Sequence, residues 1–165
     1  MPDKPNSSLR PGNQWLVAAS FAGLLLAGCY SPPPQPSPPP APAKAGGDLF
    51  QSYCAACHQY DGQAVGEAPP LDNSPWVTGP EDRLIKLVLH GVRGEMEIQG
   101  KVYNREMPGF GQILSDADAA SLLTFVRTSF GPPSSPISAD AVSQVRAANE
   151  DRTDYWSVEK LLAEP

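Results

Sequence analysis

The sequence predicts an all-α domain over residues 46–131, with three core helices and irregular loops wrapped round a group the chain itself does not supply. Three observations lead there. Apolar residues recur at helical spacing in three segments. No convincing pair of alternating strands lies between them, and residues 95–103 could form a short hairpin at most. Stretches 61–75 and 93–111 are long and rich in Gly, Pro and polar residues, and loops of that length in so small a domain need something to wrap around.

The first helix is expected over residues 48–58, where Phe50, Tyr53, Cys54 and Cys57 fall at i, i+3, i+4 and i+7. A second is signalled by Thr78 and Glu81 at capping-box spacing, with Gly91 as the stop after His90. A third starts at Ser115, with Asp116 and Asp118 in its first turn. Its stripe is Ala119, Leu122, Leu123, Val126 and Phe130, and Gly131-Pro132-Pro133 ends it. Residues 132–165 form an extension. A short helix over 138–149 would carry Val142 and Val145 on one face, followed by the apolar group Tyr155, Trp156, Val158, Leu161 and Leu162. Packing on its own domain is the preferred role of this tail, and docking on a partner the other.

The N-terminal segment is an address. Residues 1–28 read as a signal peptide, with Lys4 and Arg10 ahead of an apolar run over 15–26 that is short for a bilayer span. The run ends in Leu26-Ala27-Gly28-Cys29, which resembles the lipobox of bacterial lipoproteins. That resemblance implies cleavage before Cys29, a diacylglycerol on its thiol, and a stable anchor made by two acyl chains. Residues 29–45 are then the lipidated cysteine and a linker in which half of residues 30–45 are proline. Proline forbids helix and sheet, so polyproline II at about 3.1 Å per residue is expected, a spacer of roughly 45–50 Å. The protein is expected to be exported and anchored facing the periplasm, on either the inner or the outer membrane.

Charge narrows the partners. The chain has 12 basic and 18 acidic residues, a net charge of -6. That excludes nucleic acid, which needs a basic face. Loss of Lys4, Arg10 and Asp3 with the leader leaves 10 basic and 17 acidic residues and a charge of -7. Redox partners with a basic docking patch are therefore expected, with charge mainly speeding encounter.

The motif that decides the chemistry is Cys54-Ala55-Ala56-Cys57-His58. C-x-x-C-H is the attachment signature of c-type haem. On one helical turn two thiols can add across the two porphyrin vinyl groups, and the next residue aims its imidazole at the iron. The rivals are a redox dithiol and a zinc site. A redox C-x-x-C expects a βαβ setting that is absent. Zinc would need four ligands, for which only Cys54, Cys57, His58 and His90 remain. One haem c also accounts for all 3 cysteines, one for lipid and two for haem. With His58 on one side of the iron, the preferred second ligand is Met107, in a loop stiffened by Pro108 and glycines. His90, Met96 and an open position are the alternatives. His90 reads otherwise as a surface or C-cap histidine. Met96, between Glu95 and Glu97, reads as solvated or as packing.

Together with Ala68-Pro69-Pro70-Leu71, Met107-Pro108-Gly109-Phe110 and helix 116–130, the motif resembles the class I monohaem cytochromes c. The likeness is to small bacterial members that serve as subunits or fused domains of periplasmic dehydrogenases and reductases. It covers about residues 47–131 and is clearest over 87–131, with Gln99-Gly100-Lys101-Val102-Tyr103-Asn104 ahead of the methionine. The resemblance implies that the Pro69 carbonyl fixes the His58 ring and that Leu71 packs on the haem. It also implies that Phe50 meets Phe125 where the first and last core helices cross, with Gly47 allowing close approach; the family often has tyrosine where Phe125 stands. Trp76, Tyr103 and Arg93 are implied to approach the propionates. The expected function is one-electron transfer by a membrane-tethered carrier or oxidoreductase subunit, not catalysis. The alternatives are a haem enzyme or gas or redox sensor with an open or displaceable sixth ligand, and a haem-free lipoprotein adaptor using the proline arm.

Overall fold

The computed structural model describes residues 44–163. The expected leader, Cys29 and most of the linker lie outside the described residues. Seven helices and five short strands follow one another in the order α1 Gly46–Tyr53, α2 Ala55–His58, α3 Pro75–Thr78, α4 Glu81–His90, β1 Gly91–Arg93, β2 Met96–Ile98, β3 Lys101–Tyr103, β4 Met107–Pro108, α5 Asp116–Phe130, α6 Ala139–Ala148, β5 Trp156–Ser157 and α7 Val158–Ala163. Among the described residues no helix is long and apolar enough to cross a membrane.

The first expected helix forms in two pieces. α1 closes on Cys54, whose φ of -118° breaks the regular geometry, and α2 takes up the next turn. Backbone bonds still run through the break, with Cys54 N–H donating to the Phe50 carbonyl and His58 N–H to that of Cys54. α1 buries Leu49 and Phe50 against α5. Phe50, Phe125 and Phe130 form an aromatic cluster there, with centroids 5.2–6.2 Å apart. The glycine that permits the crossing is Gly46, not Gly47. A Cβ on Gly46 would run into the Ser121 carbonyl and Phe125, whereas one on Gly47 would make ordinary contact with the Phe125 ring.

α4 starts differently from the capping-box expectation. Thr78 is the last residue of α3, a turn that begins with Ser74 accepting from Trp76 N–H and Pro75 at the first position. The Thr78 hydroxyl donates back to the Ser74 carbonyl, so Pro80 precedes α4 and no side chain caps it. The stop holds: Gly91 takes φ 78°, and a Cβ there would meet the Met107 carbonyl and the Tyr155 ring. α5 is capped by Ser115, which accepts from Asp118 N–H.

The all-α expectation needs correcting. Backbone groups in the loops must find partners, and here they do so in short ladders. β2 and β3 form a hairpin whose turn, Gln99-Gly100, has positive φ at both residues. The second sheet was not anticipated. β1 lies between β4, antiparallel, and β5, parallel, so that Val92 is paired with Met107 on one side and Trp156 on the other. Strands of two or three residues are too short for their alternation to stand out in the sequence.

The extension packs on the core. Ser138 caps α6 by accepting from Ala141 N–H, and Val142 and Val145 are buried. Arg146 reaches the loop that follows β4, donating to Asp116 Oδ1 at 2.7 Å, the Gly111 carbonyl at 2.6 Å and the Leu114 carbonyl at 2.9 Å. Trp156, Val158 and Leu161 are buried, with the Arg152 guanidinium stacked 3.5 Å over Trp156. Leu162 departs from the expected apolar group and is exposed.

Candidate functional site

A cavity of about 540 Å³ opens between the helices and the loops. Its wall is mostly apolar, from Phe50, Val77, Leu84, Val88, Leu122 and Val126 among others. That size suits a cofactor-sized ligand. Cys54, Cys57, His58, Pro69, Leu71, Trp76, Tyr103, Met96 and Met107 all line it. Residues spread over more than fifty positions are thus brought to one surface.

His58 ends α2 and is buried. Its Nδ1 lies 3.0 Å from the Pro69 carbonyl. A carbonyl can only accept, so Nδ1 carries the proton and Nε2 keeps the lone pair. Burial holds the ring below the usual histidine range, partly opposed by the Pro69 bond. The neutral, oriented imidazole is the form that binds a metal. Cys54 is half-buried, and burial first, then the nearby Cys57, pushes its thiol up to about 11. Cys57 is exposed at the rim, and the two sulfurs are not joined to each other.

Met107 enters from the opposite element. It is half-buried in β4, and β4 is fixed from behind by β1. Just downstream, Phe110 and Gly111 N–H groups donate to the carbonyls of Val88 and Leu89 in α4, each at 2.9 Å. Met96 also faces the cavity and is buried, which decides between its two readings, solvated or packing, in favour of packing. Strand residues alternate, so β2 turns Met96 and Ile98 inward and Glu97 outward.

Trp76 is buried in the wall, with the Arg83 guanidinium 4.8 Å over its ring. Tyr103 is half-buried, under the Lys101 ammonium. Arg93 is exposed and does not line the cavity, and neither does His90. His90 lies under the extension, its Nε2 buried without a protein partner. Burial, then Arg152 and Arg146, hold it below the usual range. Among the described residues no group of three or more His, Cys, Asp and Glu side chains is placed to hold a metal ion. Sequence reasoning missed Glu67 and Arg105 at the rim, Arg146 behind β4, and the pairing of Trp156 with Val92, although Trp156 itself was expected to pack. Nothing in their spacing marks them.

The family model described as "Cytochrome C oxidase, cbb3-type, subunit III" matches residues 41–126, more than half of the chain. The chain belongs to the cytochrome c family. Cytochrome c-552 of Thermus thermophilus is 32% identical to this cytochrome over 114 residues, covering 63% of this chain and 86% of that protein. The fructose dehydrogenase cytochrome subunit of Gluconobacter japonicus is 35% identical over 116 residues, 64% of this chain but 22% of that one. The cbb3-type oxidase subunit FixP of Sinorhizobium medicae is 32% identical over 107 residues, 64% of this chain and 36% of that one. The function of this cytochrome is electron transfer and its cofactor is one covalent haem c. The cavity fits that group in three respects: its apolar wall, a cysteine pair at its edge, and a buried imidazole with a free ring nitrogen.

Proposed function

We propose that this cytochrome is a lipid-anchored, exported carrier of single electrons, with haem tied to Cys54 and Cys57 and gripped by His58 and Met107. One observation carries the reading. His58, with Nδ1 committed to Pro69, and the Met107 thioether line the same apolar cavity. Bound there, haem c supplies exchange of one electron between ferric and ferrous iron. The chain's own residues do the rest. Cys54 and Cys57 hold the group in place, Pro69 fixes the imidazole, and Leu71 and Trp76 keep water from the wall. With His58 and Met107 both holding the haem, the ferrous state would be favoured and no position would be left for a substrate. Exchange takes place at the rim, where Cys57 and Val65 are exposed. Cys29 anchors the chain through two acyl chains, and the proline linker lets the domain reach its partners. Those partners are redox proteins with a basic docking patch, of the dehydrogenase or oxidase kind that relatives' names state.

Mass spectrometry of the mature full chain tests the attachments, and carbon monoxide tests the iron. The expected result is one haem on the 54–58 peptide, a diacylated Cys29, and a ferrous form that resists carbon monoxide. Rapid stoichiometric uptake of the gas would instead support an enzyme or sensor with a displaceable ligand. A protein without haem would overturn both.

A further inference from the structure

Two loops meet across the exposed rim of the cavity. One carries Glu67, two residues before the Pro69 carbonyl that holds His58. The other carries Arg105, two residues before Met107. Arg105 Nη1 donates to Glu67 Oε2 at 2.7 Å, and both residues line the cavity. Cys57, exposed at the rim, lines the same cavity as the pair. The side chains are 67% and 71% exposed, so the pair adds little to equilibrium stability. The loop whose Pro69 carbonyl holds His58 and the loop that leads to Met107 cannot part here without breaking it.

We propose that Glu67 and Arg105 form a salt-sensitive latch across the cavity rim, positioning residues that slow release of the Met107 thioether and entry of a small external ligand. The proposal rests on the His58/Met107 reading above. An ion pair in this position resists opening at low ionic strength and is screened at high. A docking partner with basic side chains competes for Glu67 and so loosens the same latch.

The test is imidazole binding to the ferric, full-length holoprotein, followed by loss of the far-red methionine–iron band. Wild type, Glu67→Gln, Arg105→Gln and the charge swap Glu67→Arg/Arg105→Glu are compared at about 0.01 M and about 1 M salt, where the screening length falls from ~30 Å to ~3 Å. Each single variant is expected to bind imidazole about threefold to fivefold faster at low salt. The swap returns the rate towards wild type, high salt brings all four together, and the folding equilibrium constant of the single variants falls by no more than that same factor. Single variants at the wild-type rate, or a swap as fast as the singles, would overturn the latch. Absence of the far-red band in the wild type would remove the His58/Met107 reading itself, and the latch with it.

Discussion

The two sides of the cavity are held by different means. On the histidine side the machinery is local: five consecutive residues place two thiols and an imidazole, and a carbonyl eleven positions on completes it. On the methionine side it is remote. Met107 sits on a two-residue strand whose position depends on Val92, through Val92 on Trp156, and through the following loop on Arg146. One side is a motif and the other is a buttress, so damage to the two should look different.

The largest contrast comes from Trp156→Ala. The ring is buried at the far end of the Met107–Val92–Trp156 ladder. Its loss should cost roughly 3–5 kcal/mol in denaturant unfolding. In the same variant the far-red band should weaken while the covalent haem stays in full yield, since the CxxCH side is untouched. Arg146→Met is next. It strands the Gly111 and Leu114 carbonyls and leaves Asp116 without its partner, a loss of about 2 kcal/mol. Spectroscopy during unfolding should show the methionine signal disappearing at lower denaturant than in wild type.

A change on the helix crossing sharpens the comparison from the histidine side. Gly46→Ala drives a methyl into the Ser121 carbonyl and should cost about 1–3 kcal/mol, with the far-red band intact. Gly47→Ala should be close to neutral, because only ordinary ring contact awaits it.

The smallest effect is on pH. His90, under the buttress, is held below the usual value near 6.5 by burial first and by Arg152 and Arg146 next. A histidine whose folded value is depressed contributes stability in full above about 6.5, and that stability is lost as pH falls towards the folded value. His90→Gln should therefore flatten the decline in stability below about 6.5 and leave the region above it unchanged, as read by unfolding across pH.

Legibility in the sequence follows the same division. The thiols, His58 and the caps Ser115 and Ser138 are short-range features whose chemistry can be read from neighbours. Helices α4, α5 and α6 follow from apolar spacing and Gly91. Thr78 misled because a four-residue helix claimed its hydroxyl before a cap could form. Gly46 and Gly47 differ only in which faces Ser121, a matter of rotation about a helix axis that spacing does not specify. Flanking charge left Met96 open between solvent and packing, and the alternation of β2, too short to show in the sequence, decides for packing. The latch and the buttress were invisible because each joins residues thirty or more positions apart, or strands too short to show a period.

The most direct measurement is the absorption spectrum of the ferric holoprotein for wild type, Met107→Ala and Met96→Ala. Both methionines line the cavity, so the comparison tests whether Met107, as proposed, or Met96 joins His58 in holding the haem. The account predicts a far-red band in wild type and Met96→Ala that is lost in Met107→Ala, with covalent haem retained in all three. A band that survives in Met107→Ala and vanishes in Met96→Ala would contradict it.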